Sequence, residues 1–153
     1  DVTPMIAVVQ HALAQIPGPP DQIILLLQPT QPLRTPAHLQ RAIQLLEETS
    51  ADSVVSVVET ESPDKCLKIE DGTLCPWHDV FCERRQDARL AYKRDGTVYA
   101  FWRRTRFWNL YEDWCVPMVM DPAETCALDT SAEWADAERR LKERDADCAV
   151  VRE

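Results

Sequence analysis

Gln22-Ile23-Ile24-Leu25-Leu26-Leu27-Gln28-Pro29-Thr30-Gln31-Pro32-Leu33-Arg34-Thr35-Pro36 is the stretch on which the fold turns. Ile23 to Leu27 form a short, continuous apolar run, which reads as a buried strand covered on both faces. The next seven residues, 28 to 34, contain two prolines that remove backbone donors and predict an irregular loop. Thr35 then offers a side-chain oxygen to the first free amides of a helix, and Pro36 suits the first helical position. Leu39, Ala42, Ile43 and Leu46 follow at helical spacing as its core face. Val54, Val55, Val57 and Val58 make a second buried strand. Strand, helix and strand over about 37 residues predict a crossover unit with a parallel pair.

Toward the N-terminus, Ile6, Val9, Leu13 and Ile16 form one helical stripe, ended by Pro17-Gly18-Pro19-Pro20. Toward the C-terminus, Leu67 and Ile69, then Asp71-Gly72, then Leu74 predict a hairpin. An irregular aromatic and basic stretch runs to Asp95-Gly96, followed by a strand from Thr97 to Phe101. Trp108 to Trp114 is expected to be helical, and Met118 to Met120 a short strand. Thr130 and Glu133 form a capping box ahead of a helix with Trp134, Ala137 and Leu141 on one side. The expectation is a single α/β domain, residues 1–153, with a β-rich excursion at about 63–95.

With 153 residues, 45% apolar and 28% charged, the chain has material for a sizeable core. The run Ile23 to Leu27 is far too short to span a bilayer, and the first residues lack the pattern of a signal peptide. Only three glycines occur, at 18, 72 and 96, and they are scattered. Phosphate-cradling loops need clustered glycines, so P-loop and dinucleotide fingerprints are excluded. Six cysteines, at 66, 75, 82, 115, 126 and 148, read as reduced thiols of a cytoplasmic protein. Cys75, His78 and Cys82, with Cys66 as a fourth ligand, have the spacing of a zinc site; scattered thiols are the other reading.

The net charge of −9 argues against generic nucleic-acid binding. Residues 84 to 106 hold eight basic side chains against Asp87 and Asp95, so this segment carries +6 on an acidic chain. A localised anionic ligand accounts for such an island, as does a solvated basic face. Three places offer site chemistry. The loop 28–34 lies at a strand's carboxyl end, where open α/β sheets bind ligands. There Gln28 can both donate and accept, and Arg34 can hold a carboxylate or phosphate with two bonds. In Arg84-Arg85-Gln86-Asp87, one arginine can hold an anion while the other pairs with a local acid. Asp129, at the start of the last helix, can meet a hard divalent cation.

These segments together resemble the acylneuraminate cytidylyltransferases, which activate sialic acid and related keto sugar acids as CMP conjugates. LLQPTQPLRTPAHLQRAI resembles the family's LLQPTSPLR loop and helix, and DSVVSVV resembles the strand after it. RRQDARLAYKRDGTVYAF is similar to the RRQD…Y..NGxxY segment, and LDTSAEWADAE to the end of the DIDT…D...AE motif. The resemblance covers Asp1 to about Leu141. It implies a Rossmann-like nucleotide-diphospho-sugar transferase fold, truncated at its N-terminus, with a β-rich dimerisation insert.

The activity so implied is cytidylyl transfer from CTP to a nonulosonic sugar acid, assisted by Mg²⁺. The anomeric hydroxyl attacks the α-phosphate and pyrophosphate leaves. By position, Arg84, Arg85 and Gln86 match the catalytic basic segment, with both arginines lining a cleft at a homodimer interface. Thr3, Gln28 and Lys65 match ligand-contacting residues, and Arg34 stands in the same loop as Gln28. Asp95 takes the place of the family's Asn, and Asp129 that of a metal-binding carboxylate whose usual neighbour is here Ala127. The family's first strand and its R-x-x-S-K-G type triphosphate loop have no counterpart. The chain therefore reads as an excised piece or a short homologue, with stand-alone turnover in question. A non-catalytic nucleotide- or sugar-acid-binding, dimeric module is the second reading.

Overall fold

The computed structural model describes residues 3–77, 84–105 and 114–150, with the side chains of Arg85 and of 145–150 left aside. A mixed four-stranded sheet lies between helices. Helix α1 (Met5–Gln15) precedes strand β1 (Ile23–Leu26), which leads through the proline loop to helix α2 (Pro36–Thr49) and strand β2 (Ser53–Thr60). Strands β3 (Leu67–Glu70) and β4 (Thr73–Pro76) form a separate hairpin. The long strand β5 (Ala91–Trp102), strand β6 (Cys115–Val119) and helix α3 (Ser131–Val150) complete the domain.

The sheet order is β1-β5-β2-β6, which keeps the β1–α2–β2 crossover but corrects its expected parallel pair. β1 and β2 run in the same direction but do not pair, because β5 inserts between them antiparallel to both. The parallel pair is β2 with β6. β1 is half-buried along its whole length, as an edge strand with both faces covered must be. Alternate side chains of the sheet feed two cores. Val54, Val98 and Ala100 pack with Ala42 and Leu46 of α2, while Val55, Tyr99 and Phe101 pack with Val9 of α1. Ile23 and Leu25 join the first core, Ile24 and Leu26 the second, which is why β1 reads as an unbroken apolar run.

Local signals set the element ends. Thr35 Oγ1 accepts from the His38 amide at 3.4 Å, and His38 Nδ1 accepts in return from the Thr35 amide at 3.3 Å. The Asp71-Gly72 turn has both residues at positive φ, 50° and 78°, as a two-residue hairpin turn requires. At α3, the Glu133 carboxylate accepts from the Thr130 amide at 2.7 Å while Thr130 Oγ1 accepts from the Glu133 amide at 3.3 Å.

Three expected core residues sit elsewhere. Ile16 falls past the end of α1 and is exposed. Ile43 is half-buried and belongs to neither core; Leu45 packs there instead. Trp134 is exposed, while Ala137 of the same helix is buried. The expected helix at 108–114 falls, apart from Trp114, outside the described residues. So do His78 and Cys82 of the zinc spacing. Cys66, Cys75, Cys115 and Cys126 carry free thiols. Among the described residues no helix is long and apolar enough to cross a membrane.

Candidate functional site

The site is made by a break in strand register. Val55 of β2 pairs with Tyr99 of β5, yet Val57 pairs with Arg94. Ser56 alone therefore faces the four residues Asp95 to Val98. Bulges of this kind bend a strand and re-aim its side chains. Ser56 Oγ stabilises the excursion by accepting from the Val98 amide at 2.9 Å and donating to the Val98 carbonyl at 3.1 Å. Gly96 occupies its apex with φ 80°, a conformation that favours glycine.

The proline loop after β1 closes on this bulge. Arg34 Nε donates to the Thr97 carbonyl at 2.5 Å and Nη2 to the Gln28 carbonyl at 2.6 Å. Gln31 Nε2 donates to the Asp95 carbonyl. The Asp95 carboxylate accepts from the Thr97 amide at 3.2 Å and from the Thr97 hydroxyl. Burial pushes the Arg34 guanidinium below its ordinary value, with Asp95 opposing the shift. The planar fork of an arginine can meet two carbonyls at once, and here it splints loop to strand.

Between loop, bulge and the segment leading to α3 lies a cavity of about 770 Å³. Gln28, Asp95 and Asp129 all line it, although they are widely separated in sequence. Val55, Val57, Tyr99, Cys115 and Pro117 supply apolar sheet surface, and Lys93 and Arg94 add cations. Lys93 also acts on Glu133 at the α3 N-terminus, helping to hold its carboxyl below the usual range after hydrogen bonds from Thr130 and Asp129. Burial raises the Cys115 thiol above its ordinary value. The arrangement suits a ligand with an anionic group, hydroxyls for Gln28 and an apolar flank.

Arg34, Arg84, Gln86, Thr3 and Lys65 do not line this cavity. Arg34 is behind the wall, with two guanidinium nitrogens on backbone carbonyls. Arg84 is exposed and pairs through Nε with Asp87 at 2.8 Å, the local acid the sequence offered. Arg85 falls with Gln86 in a short 3-10 turn, and Gln86 is exposed. Thr3 precedes α1 and is also exposed. Lys65 lines a second cavity, about 910 Å³, beside the carboxyl ends of β2 and β6. Arg89 borders it and binds the buried Asp64 carboxylate through its amide, Nε and Nη2.

Gln31, Lys93, Arg94, Tyr99 and Cys115 are residues that sequence reasoning missed. The cationic segment flagged Lys93 and Arg94 as charge without placing them. Cys115 carries no local signal, since its position depends on pairing with Ser53 across the sheet. No family model matches the chain. Fold and site define a mixed α/β domain with a partly parallel sheet and a polar cavity beside a strand bulge.

Proposed function

We propose that this chain is a CMP-nonulosonic acid synthetase homologue, acting in cytidylyl transfer from CTP to a sialic-acid-like sugar acid. One observation carries the reading. Gln28, Asp95 and Asp129, which the resemblance sets in three separate motifs as a ligand contact, the position of the family's Asn and a metal-binding carboxylate, line the same cavity. Gln28 supplies an amide to sugar hydroxyls, and Lys93 and Arg94 supply charge to a carboxylate or phosphate. Transfer at phosphorus depends chiefly on positioning and charge neutralisation, which such a wall provides.

Mg²⁺ enters as an ion carried by the triphosphate. Among the described residues no three His, Cys, Asp or Glu side chains group to hold a metal. Asp129 is the remaining carboxylate of the expected pair, and Mg²⁺ typically takes one or two carboxylates plus phosphate oxygens and water. Bound there, the ion would neutralise phosphate charge. The homodimer belongs to the same proposal. The β3–β4 hairpin exposes Leu67, Ile69 and Leu74, with Trp77 beside them, an apolar surface of the kind that marks protein contacts.

The second reading, a non-catalytic nucleotide- or sugar-acid-binding module, is favoured by Ala127, which lines the cavity where a carboxylate is expected. One assay separates the two. The chain is incubated with CTP, Mg²⁺ and a sialic acid, and pyrophosphate is measured. Release that is lost in Arg85→Ala supports the enzyme. Absence of release, with CMP still raising the melting temperature, supports the module. Absence of release together with no stabilisation by CMP or by the sugar acid removes both.

A further inference from the structure

Gln31 is 4% exposed, and its amide spans two segments far apart in the chain. Nε2 donates to the Asp95 carbonyl, at the start of the β5 bulge. Oε1 accepts from the Cys126 amide at 3.4 Å. One residue earlier, the Thr30 carbonyl accepts from the Leu128 amide at 3.1 Å. Asp95 belongs to one side of the 770 Å³ cavity, and Ala127 and Asp129 to another. Among the described residues no strand pairing joins these two segments. A buried amide carries donor and acceptor on one rigid plane and loses free energy if either is left unmet. The two walls are therefore held at the separation that one glutamine side chain can bridge. The resembled LLQPTSPLR loop has Ser at this position, too short to reach both.

We propose that Gln31 is a positioning residue that fixes the width of the cavity and sets Asp129 in register with Gln28 and Asp95. The inference deepens the reading above and rests on it for the ligand, a cytidine nucleotide with Mg²⁺. The coupling of the walls rests on geometry alone. Gln31→Ser removes both bonds. Gln31→Glu keeps an acceptor for Cys126 but turns a carboxylate oxygen toward the Asp95 carbonyl.

Amide hydrogen exchange on the full chain reads the two walls separately. The Thr97 amide, bound to the Asp95 carboxylate, reports the bulge. The Leu128 amide reports the segment before α3, and the Met120 amide, bound to the Val57 carbonyl at 2.8 Å, reports the sheet. In Gln31→Ser, exchange at Thr97 and Leu128 is expected to rise about tenfold while Met120 stays unchanged. In Gln31→Glu, Leu128 is expected to loosen together with Thr97, although Cys126 keeps its acceptor. Calorimetry with CMP and Mg²⁺ is expected to show binding weakened about tenfold in Gln31→Ser.

Unchanged exchange at Thr97 or Leu128 overturns the positioning role. A uniform rise that includes Met120 also overturns it, because that is general loss of stability. Loosened walls with undiminished CMP binding overturn the link to the site. If the unsubstituted chain binds no CMP yet Gln31→Ser loosens both walls, the ligand reading falls and the coupling stands.

Discussion

Gln28 and Gly96 meet with no room for a side chain between them: a β-carbon on Gly96 would stand 2.2 Å from Gln28 Oε1. This close approach sets the Gln28 side chain against the bulge of β5 at the cavity wall. It follows from two separate demands on residue 96, a positive φ and a bare α-carbon.

Gly96→Ala is accordingly expected to cost about 1–3 kcal/mol, from left-handed strain plus the smaller cost of turning the end of the Gln28 side chain aside. Gly72 is the control. Its φ is 78° with nothing within 4 Å, so Gly72→Ala incurs only the strain, about 1–2 kcal/mol. Urea denaturation of both variants measures the difference. Equal losses would mean that the contact with Gln28 yields freely.

Arg34→Lys is expected to lose about 1–3 kcal/mol, although the charge is kept. An ammonium on a flexible stem cannot replace a planar fork that meets the Thr97 and Gln28 carbonyls together. Ligand affinity should fall with it, because Gln28 loses its backbone anchor. A lysine variant as stable as the parent would refute the splint.

Cys115 is expected to alkylate more slowly than the exposed Cys66 at pH 8, since burial both shields its thiol and disfavours the reactive thiolate. It also lines the cavity, so a bound ligand should slow it further. Mass spectrometry after timed N-ethylmaleimide treatment resolves the two sites. Indifference of Cys115 to every ligand tried would place binding elsewhere.

The Asp136 carboxyl is held below its ordinary 3.8, first by the hydrogen bond from Arg139 and then by the charge of Arg140. A depressed carboxyl favours the folded state above the unfolded value. Its contribution to α3 is therefore present above pH 3.8 and lost as pH falls through the lower folded value. Side-chain NMR titration should find the midpoint below 3.8, moving toward it in 1 M salt, where the exposed pairs are screened. A midpoint at or above 3.8 in low salt would contradict the ion-pair cluster.

Much of the fold was legible because short-range physics wrote it. The Thr35-Pro36 start of α2, the Asp71-Gly72 turn and the Thr130–Glu133 capping box each satisfy backbone groups within a few residues. The valine run of β2 marked its burial directly. Within the site, Gln28, Asp95 and Asp129 were reached through motifs. Arg34 was read as holding a carboxylate or phosphate with two bonds, whereas its guanidinium meets two carbonyls of the fold. Trp134 and Ile43 misled, because helical spacing gives a face without saying how far the neighbouring layer extends.

By itself, then, the sequence determined where α2 and α3 start, where the hairpin turns, and that both faces of β1 and β2 are covered, while β5 begins at Ala91 and β6 at Cys115, ahead of the expected Thr97 and Met118. Only the tertiary structure decided that β5 enters between β1 and β2, and that Ser56 faces four residues instead of one. Those outcomes depend on pairing between residues some tens of positions apart, selected by the packing of two cores at once. No local pattern encodes that choice, and the cavity beside the bulge exists because of it.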